Sequence, residues 1–238
     1  MTLQPDTRQP DTRQPDSRQA DTRQPDDARP GTAPRRTPPS PADLGIGARL
    51  SLHPHRDDFV DVIVDALDAA PADDVEVTTD EVTTFVRGTE EAVVRYVRDV
   101  VVAAARAGGH LVAHLQLSRG CPGEVDCALA DDAVLVTGQA PTLPTTGVRT
   151  AAHWALYPLD DGAPGRAGDH MAAITAAIDA ARERVEVTPE HFVTRLDGDL
   201  ADVLSTVVAG WLGAGRTVRH VVTHVTLSIA SPSWEADR

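Results

Sequence analysis

The second half of this sequence repeats the first at a fixed spacing. The nine residues His110–Ser118 (HLVAHLQLS) recur 110 positions later as His220–Ser228 (HVVTHVTLS), with both histidines and the serine in register. At the same spacing, Val77–Asp80 (VTTD) matches Val187–Glu190 (VTPE). A unit of this length is too long for a solenoid repeat, so the pattern predicts a small domain that has been duplicated.

Each copy alternates between patterns typical of strands and of amphipathic helices. Ala48–His53 alternates polar and apolar residues, as a half-buried strand does. Asp57 or Asp58 is then expected to cap a helix whose apolar residues recur every three or four positions. Val75–Val86 is rich in valine and threonine and long enough for two strands, and Thr89 is expected to cap a second helix. In copy one the predicted elements are a strand at 48–53, a helix following 58, two strands within 75–86, a helix following 89 and a strand at 111–118. In copy two they are a strand at 153–157, a helix at 169–182, two strands within 185–196, a helix at 199–211 and a strand at 221–229.

Elements in this order make a βαββαβ unit, which is the ferredoxin-like arrangement. The sequence therefore predicts an α+β fold of tandem ferredoxin-like (βαββαβ) repeats, with antiparallel sheets that carry helices on one face. We place repeat 1 at 45–125, a linker at 126–149 and repeat 2 at 150–234. Residues 1–44 begin with near-identical QPDTR units and lack a run of apolar side chains, so we expect a disordered low-complexity arm there.

Charge and composition exclude several classes of function. The formal net charge of −14 argues against nucleic-acid binding, which needs clustered cations, and favours a cationic small molecule as ligand. The central strands also lack the stacking aromatic residues of RNA-recognition domains. No apolar run is long enough for membrane insertion and no secretion signal is visible, so we expect a cytoplasmic protein. Its two cysteines, Cys121 and Cys127, are expected to be reduced.

Polar side chains should gather on one face of the sheet. On the first strand, Leu50 and Leu52 point one way while Ser51 and His53 point the other. The last strand and the second copy show the same alternation. The polar set is Arg49, Ser51, His53, His114, Gln116 and Ser118 in copy one, and His153, Tyr157, His224, Thr226 and Ser228 in copy two. Such a face is either simply solvated, as is common in antiparallel sheets, or used for binding.

Other chemistries receive less support. His53-Pro54-His55 resembles a metal-binding pair, but the proline and the absence of the second histidine in copy two favour an ordinary loop. Ser118, His114 and Cys121 could be imagined as a nucleophile and base, yet no third catalytic residue is identifiable. We therefore expect no catalytic residue, no bound metal and no cofactor. A small His- or Cys-dependent enzyme and an oligomeric regulatory or scaffold module stay open as alternatives.

From Gly47 to Ser233 the chain resembles the YkoF-like family of thiamin and hydroxymethylpyrimidine binding proteins. Many separate matches in the correct order carry the resemblance, although no single one is diagnostic. They are Gly47–Pro54 with Asp57–Phe59, Thr83–Gly88 and Gly120–Gly123 in copy one, and Ala155–Pro158, Leu196–Asp199 with Ser205 and Thr206, Leu227, Ser228 and Ser231–Ser233 in copy two.

The resemblance implies a homodimer with a ligand site associated with each repeat. It further implies non-catalytic binding of thiamin or its hydroxymethylpyrimidine precursor, linked to precursor uptake or salvage, with a vitamin-precursor transporter as a partner. Hydroxyl groups would bind the aminopyrimidine and an aromatic side chain would form a flat wall beside it. The candidate ligand-binding residues are Ser51, His53, Glu81, Thr84, Phe85, Ser118, Tyr157, His191, Thr194 and Ser228.

Two positions depart from the family pattern. His53 stands where the family commonly has tyrosine, and Glu81 stands where both family repeats tend to carry histidine, whereas copy two keeps His191. The two sites of this chain are therefore expected to differ, with an anion at one and an imidazole at the other.

Overall fold

A computed structural model describes residues 40–41, 43–120, 138–140, 142–159 and 168–236. Almost all of the predicted arm at 1–44, much of the predicted linker at 126–149 and both cysteines lie outside these residues.

The described chain contains two βαββαβ units, one after the other. In the first, β1 (Gly47–Pro54), α1 (Phe59–Ala69), β2 (Val75–Thr79), β3 (Thr84–Gly88), α2 (Glu90–Arg106) and β4 (Leu111–Arg119) follow in order. In the second, β5 (Arg149–Pro158), α3 (His170–Ala181), β6 (Glu186–Pro189), β7 (Thr194–Asp199), α4 (Leu200–Gly215) and β8 (Val221–Ile229) repeat that order, and a short helix, α5 (Ser233–Ala236), follows.

The eight strands form one continuous antiparallel sheet. Its order is β2-β3-β1-β4-β8-β5-β7-β6, so β4 and β8 lie side by side at the centre. They pair over their whole lengths, from Leu111 opposite Ile229 to Arg119 opposite Val221. The predicted α+β fold of tandem ferredoxin-like units is confirmed, and the two sheets are joined edge to edge.

The core lies between the helices and one face of this sheet. Alternate strand residues such as Leu50, Leu117 and Leu227 are buried there, while the residues between them face away from the helices. The polar set predicted from alternation lies on this opposite surface, which we call the open face. Alternation and burial together thus fix the strand registry that the sequence implied.

Helix starts show which capping predictions hold. The Thr89 hydroxyl accepts a hydrogen bond from the Ala92 N–H at 3.2 Å, as expected for an N-cap. The prediction that Asp57 or Asp58 caps α1 is wrong. Asp58 occupies the N-cap position, but its carboxylate makes no cap hydrogen bond, because both of its oxygens accept from the Arg56 guanidinium in a bidentate ion pair.

The two repeats fill their cores differently. Leu50 of β1 corresponds to Trp154 of β5, and Val100 of α2 corresponds to Gly210 of α4. A Cβ on Gly210 would lie 2.5 Å from the Trp154 ring, so the larger residue on the sheet requires the smaller one on the helix. The buried indole donates a hydrogen bond to Thr223 Oγ1 at 2.8 Å, which satisfies its polar group.

A buried ion pair in repeat 1 has an apolar counterpart in repeat 2. Arg119 Nη1 lies 2.7 Å from Glu90 Oε1, and both side chains are almost fully buried. At the equivalent positions repeat 2 has Leu200 and Ile229, which are fully buried. Burial raises the pKa of the Glu90 carboxyl and lowers that of the Arg119 guanidinium. The other Glu90 oxygen accepts from the Gly138 N–H at 2.6 Å, which ties the connecting segment to α2.

Repeat 2 shows how this ion pair can be tested. Glu90→Leu and Arg119→Ile, made singly, should each lower the free energy of unfolding by about 3 kcal/mol, because each leaves one charge buried without its partner. The double variant, which copies repeat 2, should lose about 1 kcal/mol or less. Urea unfolding followed by tryptophan fluorescence measures all three. A double variant as unstable as the two single losses added together would show that Glu90 and Arg119 stabilise the fold independently and not as a coupled pair.

Candidate functional site

A cavity of about 420 Å³ lies in repeat 1, between α1 and the end of the sheet. The strand β3 ends its pairing with β1 at Leu50, which lies opposite Thr84, so the last four residues of β1 have no neighbour on that side. The chain turns away there through the hairpin loop 80–83, and the cavity occupies the space that is left. Its lining residues are Leu50–Pro54, Phe59, Ile63, Leu67 and Thr79–Thr84.

The uncovered edge of β1 presents backbone hydrogen-bonding groups to this cavity. His55 donates its N–H to the His110 carbonyl at 2.9 Å, on the β4 side. In an antiparallel strand the N–H and C=O of successive residues point to opposite neighbours. The N–H and C=O of Leu52, three residues earlier, therefore point to the side where β3 has ended. A donor and an acceptor stand next to each other on one cavity wall.

The hairpin that closes the cavity is held by Asp80. Its Oδ1 accepts from the N–H groups of Val82 and Thr83, both at 2.8 Å, and its Oδ2 accepts from Arg49 at 3.1 Å. Arg49 also donates to the Thr83 hydroxyl at 2.9 Å. The backbone N–H groups of Thr83 and Val82, together with Arg49, hold the pKa of the Asp80 carboxyl below its usual range. This side chain is thus an anion fixed at the mouth of the cavity.

The apolar wall of the cavity comes mainly from α1. Phe59, Ile63 and Leu67 line it from the helix, and Val82 lines it from the hairpin. Phe59 is 49% exposed and Val82 is 76% exposed, which is unusual for large apolar residues. Sequence analysis included Phe59 among the residues that resemble the family but did not name it as a ligand-binding residue. Its position could have indicated a role outside the core, because Phe59 lies in the first turn of α1, before Val62, the first buried residue of that helix.

Four of the predicted site residues come together at this cavity: Ser51, His53, Glu81 and Thr84. Thr84 reaches it from the core side and shares a hydrogen bond of 3.0 Å with the Thr79 hydroxyl. Ser51 and His53 lie on the open face, where Ser51 Oγ is 3.3 Å from His53 Nε2. Burial lowers the pKa of His53, and its neighbours His114 and His55 lower it further.

Two other predicted residues of repeat 1 lie away from the cavity. Phe85 follows Thr84 on β3 and therefore points to the open face, where Arg49 and Arg87 each stack on its ring at 5.1 Å. Ser118 lies near the far end of β4, opposite Gly47 and Val222. Phe85 thus packs against two guanidinium groups and does not wall the cavity.

Comparison with known proteins shows the family of the chain. The sequence model of the YKOF-related family matches residues 45–124 and 149–234. A protein of Bacillus subtilis (strain 168), named "Putative HMP/thiamine-binding protein YkoF", is 33% identical over 192 residues. These residues cover 79% of this chain and 91% of that protein. The chain belongs to the YKOF-related family. Each of the two matched segments contains one βαββαβ unit of the structure.

Repeat 2 of this YKOF-related chain carries the equivalent elements with different side chains. The Leu159 N–H donates to the His220 carbonyl at 2.8 Å, just as His55 does to His110, so the N–H and C=O of Leu156 point to the uncovered edge of β5. Tyr157, which replaces His53, is half-exposed and lies 6.4 Å from His224, measured between ring centres.

The hairpin of repeat 2 presents a different surface from that of repeat 1. Its backbone closes in the same way, with the Glu190 N–H bound to the Val193 carbonyl at 3.1 Å. His191 stands in place of Glu81, and Phe192, in place of Val82, is 97% exposed with a positive φ of 69°. Thr194 begins β7 opposite Trp154. The difference that the sequence predicted between Glu81 and His191 is therefore a difference between two equivalent hairpins.

The open face of the YKOF-related sheet carries most of the histidines of the strands. The His114 ring lies 5.3 Å from that of His53, and its Nδ1 is 2.9 Å from Thr226 Oγ1. Ser228, the last predicted site residue, lies 3.0 Å from His110 Nε2. It also lines a smaller cavity of about 200 Å³ together with His153 and Arg195. Ser228 is thus separate from the hairpins and belongs to the centre of the sheet.

Metal clusters and membrane-spanning helices are both absent from the described part of the chain. It holds no cluster of three or more histidine, cysteine, aspartate or glutamate side chains placed to bind a metal ion. No helix within the same residues is both long and apolar enough to cross a membrane.

Proposed function

We propose that this protein binds thiamin or its hydroxymethylpyrimidine precursor at the cavity of repeat 1 and at the equivalent edge of repeat 2, without converting the ligand. The Bacillus subtilis relative, whose name describes HMP and thiamine binding, supports this ligand class. The observation that carries the proposal is the cavity beside the uncovered edge of β1, because its groups complement an aminopyrimidine.

The complementarity is one of hydrogen-bond donors and acceptors. An aminopyrimidine presents a ring nitrogen acceptor beside an amino donor, and it can therefore pair with the N–H and C=O of Leu52 as another strand would. The hydroxyl of Thr84 lies at the same cavity and offers a further partner. A ligand bound in this way completes the hydrogen bonds that β3 leaves open.

The rest of the cavity suits the remainder of the ligand. The Phe59 ring and the aliphatic side chains of Ile63 and Leu67 offer an apolar surface to a flat heterocycle. Thiamin also carries a positively charged thiazolium ring. Asp80 and Glu81 place carboxylates at the mouth, and the whole chain has a net charge of −14, which favours a cation.

Truncation of Phe59 tests the cavity as the binding site. Phe59→Ala should weaken one of the two binding events for both thiamin and hydroxymethylpyrimidine by about tenfold, because the ring is lost as a wall. Val60→Ala is the matched control, since Val60 is 54% exposed on the same helix turn and does not line the cavity. Isothermal titration of the full-length chain measures both. Equal affinities in the two variants and the unsubstituted protein would place the ligand elsewhere.

The hairpin charge should distinguish between the two ligands. Glu81→Gln should weaken thiamin binding a few-fold at repeat 1 and leave hydroxymethylpyrimidine binding unchanged, because only thiamin carries a fixed positive charge. The effect is small since Glu81 is exposed, and it should grow at low ionic strength. Glu91→Gln, another exposed acid of repeat 1, serves as control. Equal loss for both ligands would mean that Glu81 acts through the shape of the hairpin and not through its charge.

The same proposal includes a homodimer formed through the open face. That face is rich in imidazole and hydroxyl groups, with Val112 and Val222 between them, and many of these side chains are only half-exposed. Acidic residues, which are usually exposed to solvent, are absent from its four central strands, β1, β4, β8 and β5. A second copy would cover this surface and leave the outer hairpins accessible.

Sedimentation velocity tests the dimer. The full-length chain should sediment as a dimer at micromolar concentration, and Gln116→Arg should shift it toward the monomer because it places a charge at the centre of the open face. Val64→Arg adds the same charge on the exposed side of α1 and should leave the dimer intact. A dimer that survives Gln116→Arg, or an unsubstituted chain that sediments as a monomer, would contradict this interface.

A further inference from the structure

Two histidine side chains meet just beyond the paired ends of β1 and β4. The backbone bond from the His55 N–H to the His110 carbonyl, 2.9 Å long, extends the β1–β4 ladder by one residue pair. Directly opposed residues of an antiparallel pair project their side chains to the same face. The two imidazole rings consequently lie 4.4 Å apart between centres, inclined at 71°, and their Nδ1 atoms are 3.1 Å apart.

A third residue orients one of these rings. His110 Nε2 lies 3.0 Å from the hydroxyl oxygen of Ser228, on the neighbouring strand β8. When Nε2 carries the proton and donates it to Ser228, Nδ1 of His110 is left with a free lone pair directed at His55. Metal-binding histidines are commonly held by such a hydrogen bond from the second ring nitrogen.

We propose that His55 and His110 chelate a divalent transition-metal cation, such as Ni²⁺ or Zn²⁺, through their two Nδ1 atoms. Bonds from imidazole to such ions measure about 2.0–2.1 Å, so two nitrogens at that distance and about 100° apart around the metal are separated by about 3.1 Å. The separation of 3.1 Å between the two Nδ1 atoms has this value. His55 then carries its proton on Nε2, and the metal replaces the hydrogen bond between the rings.

The surroundings of the pair permit a cation. Arg56 is the nearest residue of like charge along the chain, but its guanidinium binds the Asp58 carboxylate and the carbonyls of Ala107 and Gly108. The net charge of the chain, −14, also favours cations. With two protein ligands, the remaining coordination positions fall to water or to groups of a second copy that covers the open face.

The second repeat provides an internal comparison. The same backbone bond joins Leu159 to His220 there, at 2.8 Å, so one imidazole faces an aliphatic side chain instead of another imidazole. That position cannot chelate a metal in this way. Neither His55 nor His110 lines the cavity of repeat 1, so the proposed metal ligands are different residues from those at the thiamin-type site.

Calorimetric titration of the metal-free, untagged, full-length chain with NiCl₂ tests the site. His55→Gln and His110→Gln should each weaken the tightest Ni²⁺ binding event about 100-fold, and Ser228→Ala should weaken it about tenfold. His220→Gln is the matched control and should bind Ni²⁺ as the unsubstituted chain does. In NMR spectra, paramagnetic Ni²⁺ at substoichiometric amounts should broaden the ring signals of His55 and His110 first.

Two results would overturn the proposal. One is Ni²⁺ affinity that is unchanged in His55→Gln or His110→Gln, since the cation would then be held by other groups of the chain. The other is a loss in His220→Gln as large as in those variants, which would indicate diffuse binding to surface histidines. Thermal unfolding of each variant without metal shows whether the fold is retained, and the NMR broadening in the unsubstituted chain locates the bound Ni²⁺ without any substitution.

Discussion

Pairing between β4 and β8 is the contact on which the rest of this architecture depends. It is the strand pair that joins the two repeats among the described residues, and it runs without interruption from Leu111 opposite Ile229 to Arg119 opposite Val221. Because these strands are central, β2 and β6 become the two outer edges of the sheet. The hairpins at 80–83 and 190–193 therefore lie near opposite edges. One pairing therefore creates a continuous open face in the middle and keeps the two candidate ligand sites apart.

Because the domain is duplicated, each residue of one repeat can be compared with its equivalent in the other. The buried charges of Glu90 and Arg119 have aliphatic counterparts in repeat 2, which shows that the fold itself does not require them. In repeat 2 the Trp154 ring fills the space that Leu50 of the strand and Val100 of the helix fill together in repeat 1. Such exchanges within the core alter packing and leave the order of elements unchanged, whereas Glu81 and His191 alter only what the hairpins present to solvent. The repeats share a framework and differ in part of their cores and in the side chains of their hairpins.

The sequence allowed the order of elements and the faces of the strands to be predicted, because both depend on local periodicity. The cap at Thr89 was also predictable, since a side chain and the backbone three residues later decide it. The joining of the sheets was not predictable, because residues more than a hundred positions apart decide it. Phe85 illustrates a smaller difficulty: it and Thr84 were assigned to one site, yet neighbouring strand residues point to opposite faces, and only Thr84 reaches the cavity.

The uncovered edge of β1 also bears on how this protein behaves in crowded solution. An open strand edge is a template on which a strand of another molecule can add, and proteins keep such edges short. Here the edge is limited on one side by the pairing of Leu50 with Thr84 and on the other by Pro54, which has no N–H to donate. Pro158 occupies the same position in β5. On β1 and β5 the N–H and C=O of Leu52 and Leu156 stay open, in a gap that is wide enough for a small heterocycle and too short to nucleate an intermolecular sheet.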